Sequence, residues 1–260
     1  MKKILVASFP RSGTHFLINT LSSNCQGVHN GWIDVINSER SKWVSNITED
    51  NFRAKIREQL VDVYYPSRIN KPLKTHHQMY VFEEYLSELL DFYDIFYMVR
   101  DPRDTLVACF HFYNRTDFEP FIKDPRIASF IRHPLWGVRS EVRPFSFSYV
   151  KPANIVDKWQ KHVLSWLLYK DRGVHFVHYS DLQCRLKETL KGIASASSQL
   201  LLDIITPIGL EDQRFRPDFV DPTFKRGRVG IWRDYLSAAD VQFISDALLP
   251  DVRRIAWFDD

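Results

Sequence analysis

The feature that most constrains this chain is a junction close to its start. Ile4 to Phe9 is a short apolar run that stops at Pro10-Arg11, and Phe16, Ile18 and Leu21 then recur at nearly helical spacing. A continuous apolar run of this length reads as a strand buried on both faces, which demands packing layers above and below it. The same grammar returns at Ile95 to Val99, a second buried strand. Asp101-Pro102 follows it, an N-cap acid before a proline at the first helical position, and predicts a helix to about Tyr113. Helices are also predicted over about 48–63, where Phe52, Ile56 and Leu60 repeat every four residues, and over Val81–Leu90, Asn154–Lys170 and, with breaks, Leu186–Ile205. Ser237-Ala-Ala-Asp240 caps a last helix to Leu249, and Val174–His178 is another strand. Strands alternating with helices predict an α/β fold, a central parallel sheet with helices on both faces.

Composition narrows the function classes. The 260 residues carry 35 basic and 32 acidic side chains, a net charge of only +3, so a whole-molecule basic field for duplex nucleic acid is not indicated. Any anion site must come from local clustering. The three cysteines, Cys25, Cys109 and Cys184, lie far apart with no C-x-x-C pair, which argues against a disulfide framework or structural zinc and fits a reducing, cytoplasmic setting. The apolar run after Lys2-Lys3 is too short for a signal peptide, and no stretch approaches the roughly 18 apolar residues of a membrane span. Without repeats or Gly/Ser linkers, residues 1–260 read as one domain. The segment 113–150, rich in Arg, Phe and Pro, reads as a substrate-covering excursion over the surface.

Four segments carry chemistry. In Phe9-Pro-Arg-Ser-Gly-Thr-His15, a tight loop entering a helix aims free backbone N–H groups at one spot, and Arg11, Ser12 and Thr14 add side-chain donors, which suits a phosphate. One glycine and no lysine exclude a Walker A loop. Tyr97-Met-Val-Arg-Asp-Pro-Arg-Asp-Thr105 places Arg100 at the carboxyl end of a strand, the edge where ligands of open α/β sheets bind; a surface salt network with Asp101 and Asp104 is the plainer reading of this segment alone. Phe224-Lys-Arg-Gly-Arg-Val-Gly-Ile-Trp-Arg233 mixes basic residues with glycines, as a loop that wraps an anion does, or as a basic surface loop anchored by Trp232 does. Pro72-Leu-Lys-Thr-His-His77 sets Lys74 two residues before His76, a candidate acid/base pair.

Taken together and in this order, the segments resemble the PAPS-dependent sulfotransferases of cytosolic type. That family carries P-K-S-G-T-T-W after its first strand, where this chain has Pro10-Arg-Ser-Gly-Thr-His-Phe16. Its K-T-H is similar to Lys74-Thr75-His76, its Y-x-x-R-N-x-K-D to Tyr97–Asp104, and its R-K-G-x-x-G-D-W-K to Lys225–Arg233; Val174–Asp181 resembles a fifth motif. The resemblance implies a P-loop-like fold with a phosphosulfate-binding loop. It also implies transfer of a sulfuryl group from 3′-phosphoadenosine 5′-phosphosulfate (PAPS) to a hydroxyl or amine of a small-molecule acceptor, without a metal, a nucleic acid or a membrane as partner. Arg11, Ser12, Gly13, Thr14 and His15 would hold the 5′-phosphosulfate. Arg100, with Lys225, Arg226 and Gly227, would hold the 3′-phosphate, and Phe16, Trp232 and Tyr179 would contact adenine. His76 would be the general base, with Lys74 and Arg11 stabilising the transferring group.

This chain departs from the family at four places. Arg11 replaces a lysine, Phe16 a tryptophan, Ile231 an aspartate, and Ala108 a serine expected on the 3′-phosphate. A charge-assisted hydrogen bond is worth about 1.5–3 kcal/mol, so the loss at Ala108 weakens donor binding unless Thr105, one helical turn earlier, substitutes. His77 competes with His76 as base, because neighbours on an extended segment point to opposite faces and only one reaches the site. The acceptor pocket is expected from 29–47, 77–90 and 113–150, whose aromatics and acids (Trp32, Asp34, Tyr80, Glu83) suit an aromatic or cationic small molecule. The chain starts almost on its first strand, so the leading segment that helps build this pocket in animal members is expected to be missing. A kinase-like nucleotide enzyme shares the fold but should show a Walker lysine and magnesium-binding acids. A non-catalytic nucleotide-binding module would have no use for Lys74 and His76. Basic and aromatic residues at 126–147 could serve nucleic acid but equally cover a substrate.

Overall fold

Strand β1 spans Lys3–Ser8 and its last five residues are buried, as expected for the centre of a sheet. The computed structural model describes residues 1–35, 49–115, 126–135, 152–203, 205–207 and 227–257. Among these, β2 (Ile33–Asp34), β3 (Leu73–Thr75), β4 (Tyr93–Val99) and β5 (Val174–His178) join β1 in the order β2-β3-β1-β4-β5. Every pairing is parallel, with Ala7 opposite Thr75 on one side and Tyr97 on the other.

Side-chain alternation along the strands divides the core. Ile4, Val6, Phe96, Met98 and Val177 face α1 (Thr14–Asn24), α7 (Tyr179–Cys184) and α8 (Leu186–Ala196). Leu5, Ala7, Ile95, Tyr97 and Val99 face the larger layer: α2 (Glu49–Arg57), α3 (Leu86–Phe92), α4 (Pro102–Arg115), α6 (Ile155–Leu167), α9 (Ala238–Ala247) and α10 (Pro250–Ala256). Trp159 and Trp166, one turn pair apart on α6, are fully buried there. The predicted α/β architecture with both faces covered is therefore the observed one.

Local chemistry explains the boundaries. The Asp101 carboxylate accepts the Arg103 N–H at 2.8 Å, so the predicted cap and the helix from Pro102 are both present. Ser237 and Asp240 form the predicted capping box of α9. Three helical predictions need correction. The 48–63 helix turns π-helical over Glu58–Tyr64, and 81–90 is a 3₁₀ turn, Met79–Tyr85, followed by α3. The helix from Leu186 stops at Ala196 rather than Ile205, because the Asp94 carboxylate accepts bonds from the Ser198 backbone and hydroxyl and from the Gln199 amide. Within 113–150, α5 (Ile127–Arg132) buries Phe130 and Ile131, so this part belongs to the core rather than to a surface excursion; 116–125 and 136–150 lie outside the described residues.

Candidate active site

Parallel strands end together, and all five carboxyl ends lie on one edge. The chain leaves β1 toward β3 and β2, then crosses back to place β4 and β5 on the other side. Such a reversal opens a crevice at the strand ends, the general ligand position in open α/β sheets. Phe9–Gly13 follows β1, His76 follows β3, Arg100 follows β4, Tyr179 follows β5, and Asp34 ends β2.

The loop after β1 is built to meet an anion. Gly13 sits at φ 98° as the N-cap of α1 and provides no side chain, so no N-cap side chain takes up the first N–H groups of the helix. Glycine is required, because a Cβ here would lie 2.4 Å from the Tyr179 ring. Arg11 holds φ 69°, an uncommon conformation for a residue with a side chain. Its guanidinium lies 4.8 Å from the Phe112 ring, and its carbonyl accepts from Arg100 at 3.4 Å. Buried Ser12 returns its N–H to the Phe9 carbonyl, and the Thr14 and Ser8 hydroxyls are 2.5 Å apart.

Arg100 is buried beside this loop, its guanidinium 4.5 Å from the Tyr179 ring centre and its Nη2 3.3 Å from the Arg228 carbonyl. Its Nε is buried with no protein acceptor. An arginine face with an unused donor, beside uncapped helix N–H groups, fits an anionic ligand such as a nucleotide phosphate. Buried Asp104 organises the far wall: its carboxylate accepts the N–H groups of Gly230 (2.9 Å) and Trp232 (3.0 Å) and stands 3.9 Å from Arg100. Burial raises its pKa, while Arg100 and the two N–H donors oppose the rise. Tyr179 donates to the Gly227 carbonyl at 2.7 Å, a second tie on the same loop. Arg103 is bound to Asp101 at 2.6 Å and lies against the Trp232 and Trp257 rings, so it is structural.

Histidine placement separates the two base candidates. His76 Nδ1 lies 2.8 Å from the Ser8 carbonyl, which can only accept, so Nδ1 carries the proton and Nε2 keeps its lone pair. Burial, then the Lys74 charge, lowers its pKa to about 4, so the ring is neutral at pH 7. His77 is buried against Phe52, with its carbonyl accepting from Trp166 Nε1. The expected opposite orientation of the neighbours is present, and His76 is the one at the loop. Lys74 Nζ pairs with Asp34 at 2.6 Å and lies 3.4 Å from His15 Nε2. His15 packs on Trp32 at 4.2 Å, and burial with Lys74 lowers its pKa to about 2.

Some sequence expectations fit this geometry less well. Phe16 and Tyr179 are buried against each other at 5.5 Å, so they wall the loop more than they offer stacking faces. The half-buried Trp232 ring is flanked by the Arg103 and Arg233 guanidiniums at 4.2 and 4.5 Å. Thr105 is fully buried with its hydroxyl turned to the Arg100 carbonyl at 3.5 Å, and Ala108 is buried. Lys225 and Arg226 lie outside the described residues, as do 36–47, 116–125 and 136–150 of the expected acceptor pocket. Sequence reasoning missed Ser8 as the partner of His76 and His162 on the buried face of α6. It read Asp34 as a pocket acid rather than as the partner of Lys74. A polar residue closing an apolar strand was the available sign for Ser8.

The sulfotransferase domain family matches residues 1–254 of this chain. The chain belongs to that family. Mouse sulfotransferase 2A1 is 24% identical over 196 residues, which cover 73% of this chain and 57% of that protein, so the match spans little more than half of this curated relative. Mouse sulfotransferase SULT7A1, solved in complex with PAP, superposes with a TM-score of 0.60 at 19% identity, over 97% of this chain and 84% of that one. Retinol dehydratase, solved with androsterone and inactive cofactor PAP, gives 0.60 at 16% identity, over 100% and 83%. These structural likenesses establish the sulfotransferase fold. Among the described residues, no helix is long and apolar enough to cross a membrane, and no group of three or more His, Cys, Asp or Glu side chains is placed to hold a metal ion.

Proposed function

We propose that this chain is a PAPS-dependent sulfotransferase that acts on a hydroxyl or amine of a small-molecule acceptor. The observation that carries the reading is the His76 imidazole, locked with Nδ1 on the Ser8 carbonyl and Nε2 as the remaining base, beside an uncapped helix terminus. Family membership and the small-molecule ligand in the retinol dehydratase complex support it. The donor supplies the sulfuryl group and departs as adenosine 3′,5′-bisphosphate once the acceptor atom has bonded to sulfur.

The chain's own residues divide the remaining work. The N–H groups of Gly13–Phe16, with the side chains of Arg11, Ser12 and Thr14 and with His15 beside them, hold the 5′-phosphosulfate end. Arg100, Gly227, Lys225 and Arg226 take the 3′-phosphate, with Thr105 supporting Arg100 through its carbonyl. Phe16, Tyr179 and Trp232 bound the adenine side. His76 Nε2 takes the acceptor proton. Its lowered pKa keeps it unprotonated, and an anion bound in the loop raises its basicity toward neutrality by offsetting Lys74. Lys74 and Arg11 balance charge on the departing oxygen, and Asp34 holds Lys74 in place until then. One domain covers 1–260, and a cytoplasmic setting suits its cysteines, Cys25 and Cys109 being buried and all three free.

The test is sulfuryl transfer from PAPS across a panel of phenols and amines, with His76→Ala and His77→Ala beside the parent protein. The reading requires His76→Ala to lose roughly 10²–10⁴ in kcat, the usual span for a general base, and His77→Ala to stay active when folded. Transfer that survives His76→Ala overturns the base assignment.

A further inference from the structure

His162 lies mid-helix in α6 and is 3% exposed, a polar ring on a face otherwise occupied by Trp159, Val163 and Trp166. Both of its nitrogens are used. Nε2 is 3.1 Å from the His76 carbonyl, so it carries the proton and donates. Nδ1 is therefore the acceptor, and the Tyr97 hydroxyl donates to it at 2.9 Å. Tyr97 lies on β4 directly opposite Ala7 of β1. The His162 ring also packs edge-on against Phe9 at 5.6 Å. Burial lowers the His162 pKa to about 3, so this neutral donor–acceptor arrangement holds across working pH.

The chain of bonds runs Tyr97 O–H, His162, His76 C=O, with the Phe9 ring packed edge-on against the imidazole in its middle. It ties the backbone of the base to β4 and, by ring packing, to the first residue of the phosphate loop, through a side chain from a third element. Ser8, one residue before Phe9, is where the His76 ring docks. His76 is thus clamped twice, by its ring to Ser8 and by its carbonyl to the imidazole packed on Phe9. A one-ångström drift of a catalytic group costs on the order of a hundredfold in rate, so this second clamp has a kinetic consequence.

We propose that His162 is a positioning residue for sulfuryl transfer: its Nε2–H bond to the His76 carbonyl holds the base in register with the phosphate loop. The proposal rests on the function proposed above. It assigns His162 no contact with donor or acceptor.

A matched pair of amides tests it. The His162→Gln amide reaches the position of Nε2 and can keep the bond to His76. The shorter His162→Asn amide reaches only the Nδ1 side and its partner Tyr97. Parent and variants are compared in melting temperature, in calorimetric affinity for adenosine 3′,5′-bisphosphate, and in kcat at saturating PAPS with the best acceptor of the phenol and amine panel. The expected result is kcat within threefold of the parent for Gln and at least tenfold lower for Asn, with bisphosphate affinity unchanged in both. Equal kcat in the two folded variants overturns the proposal. Nitrogen-15 spectra of the imidazoles supply a readout independent of turnover and of the Asn variant's folding. In the parent, His162 should show its proton on Nε2 and His76 its proton on Nδ1, and a His162 ring protonated at Nδ1 instead overturns the clamp. A parent that neither binds the bisphosphate nor transfers sulfate defeats the functional reading instead, and the tautomer still decides the clamp.

Discussion

Acidification is a quantitative probe of the site, because its histidines are folded in the neutral form. The pKa values of His15, His76 and His162 are lowered to about 2, 4 and 3, in each case chiefly by burial. An unfolded imidazole titrates near 6.5. Between that value and the folded ones the unfolded chain holds more protons, so stability must fall as pH falls from about 6.5 toward 4. At pH 5 each histidine costs about 2 kcal/mol relative to neutral pH. The three together cost roughly 6 kcal/mol, comparable to the whole stability of many domains. His175 and His178, lowered mainly by burial, act in the same direction. The carboxylates do not mimic this. Burial works against Asp157 and Asp240, but their hydrogen bonds hold both low, so their share is lost only below the ordinary carboxylate range. Asp104, raised by burial, is relieved rather than stressed by acid. Urea unfolding followed by tryptophan fluorescence at pH 7, 6 and 5 measures the loss. His162→Gln, which cannot titrate, should remove about 2 kcal/mol of the difference between pH 7 and pH 5. A parent protein whose stability changes by less than about 1 kcal/mol over that range would refute the reasoning.

Three further outcomes follow from single contacts. Asp104→Asn removes the charge that accepts two loop N–H groups and faces buried Arg100, and should destabilise by about 3 kcal/mol in urea unfolding; an unchanged midpoint contradicts the role of Asp104 as anchor of 227–232. Gly13→Ala forces a Cβ to within 2.4 Å of Tyr179 at φ 98°, so a loss of about 1–3 kcal/mol and at least tenfold weaker bisphosphate binding are expected by unfolding and titration. Thr105→Val should change bisphosphate affinity less than threefold, because the hydroxyl sits on the Arg100 carbonyl; a tenfold loss would show that it reaches the 3′-phosphate in place of the residue missing at Ala108.

What the sequence reveals is what lies along it. Strands and long helices with strong periodicity are legible, and so are residues adjacent to strand ends, since a parallel sheet gathers those ends automatically. β2, with two residues, and α5, with six, are too short to show a period. α10 is hidden because Pro250 reads as a stop after Leu249 while it serves as the first residue of a new helix. The serine-rich end of α8 looks helical until Asp94, 104 residues away, claims Ser198. Within the site the same division holds. His76 is legible from its motif, but Ser8 lies 68 residues from it and His162 lies 86, so their bonds exist only through the fold. Asp104 reads as a surface acid because Gly230 is 126 residues on.

The central claim, a donor site for PAPS at the ends of β1 and β4, is tested most directly by calorimetric titration with adenosine 3′,5′-bisphosphate in metal-free buffer, beside ATP with Mg²⁺. Saturable binding of the bisphosphate in preference to ATP, abolished by Arg100→Ala, is the result this account predicts. Preference for ATP, or no binding of either nucleotide, would contradict it.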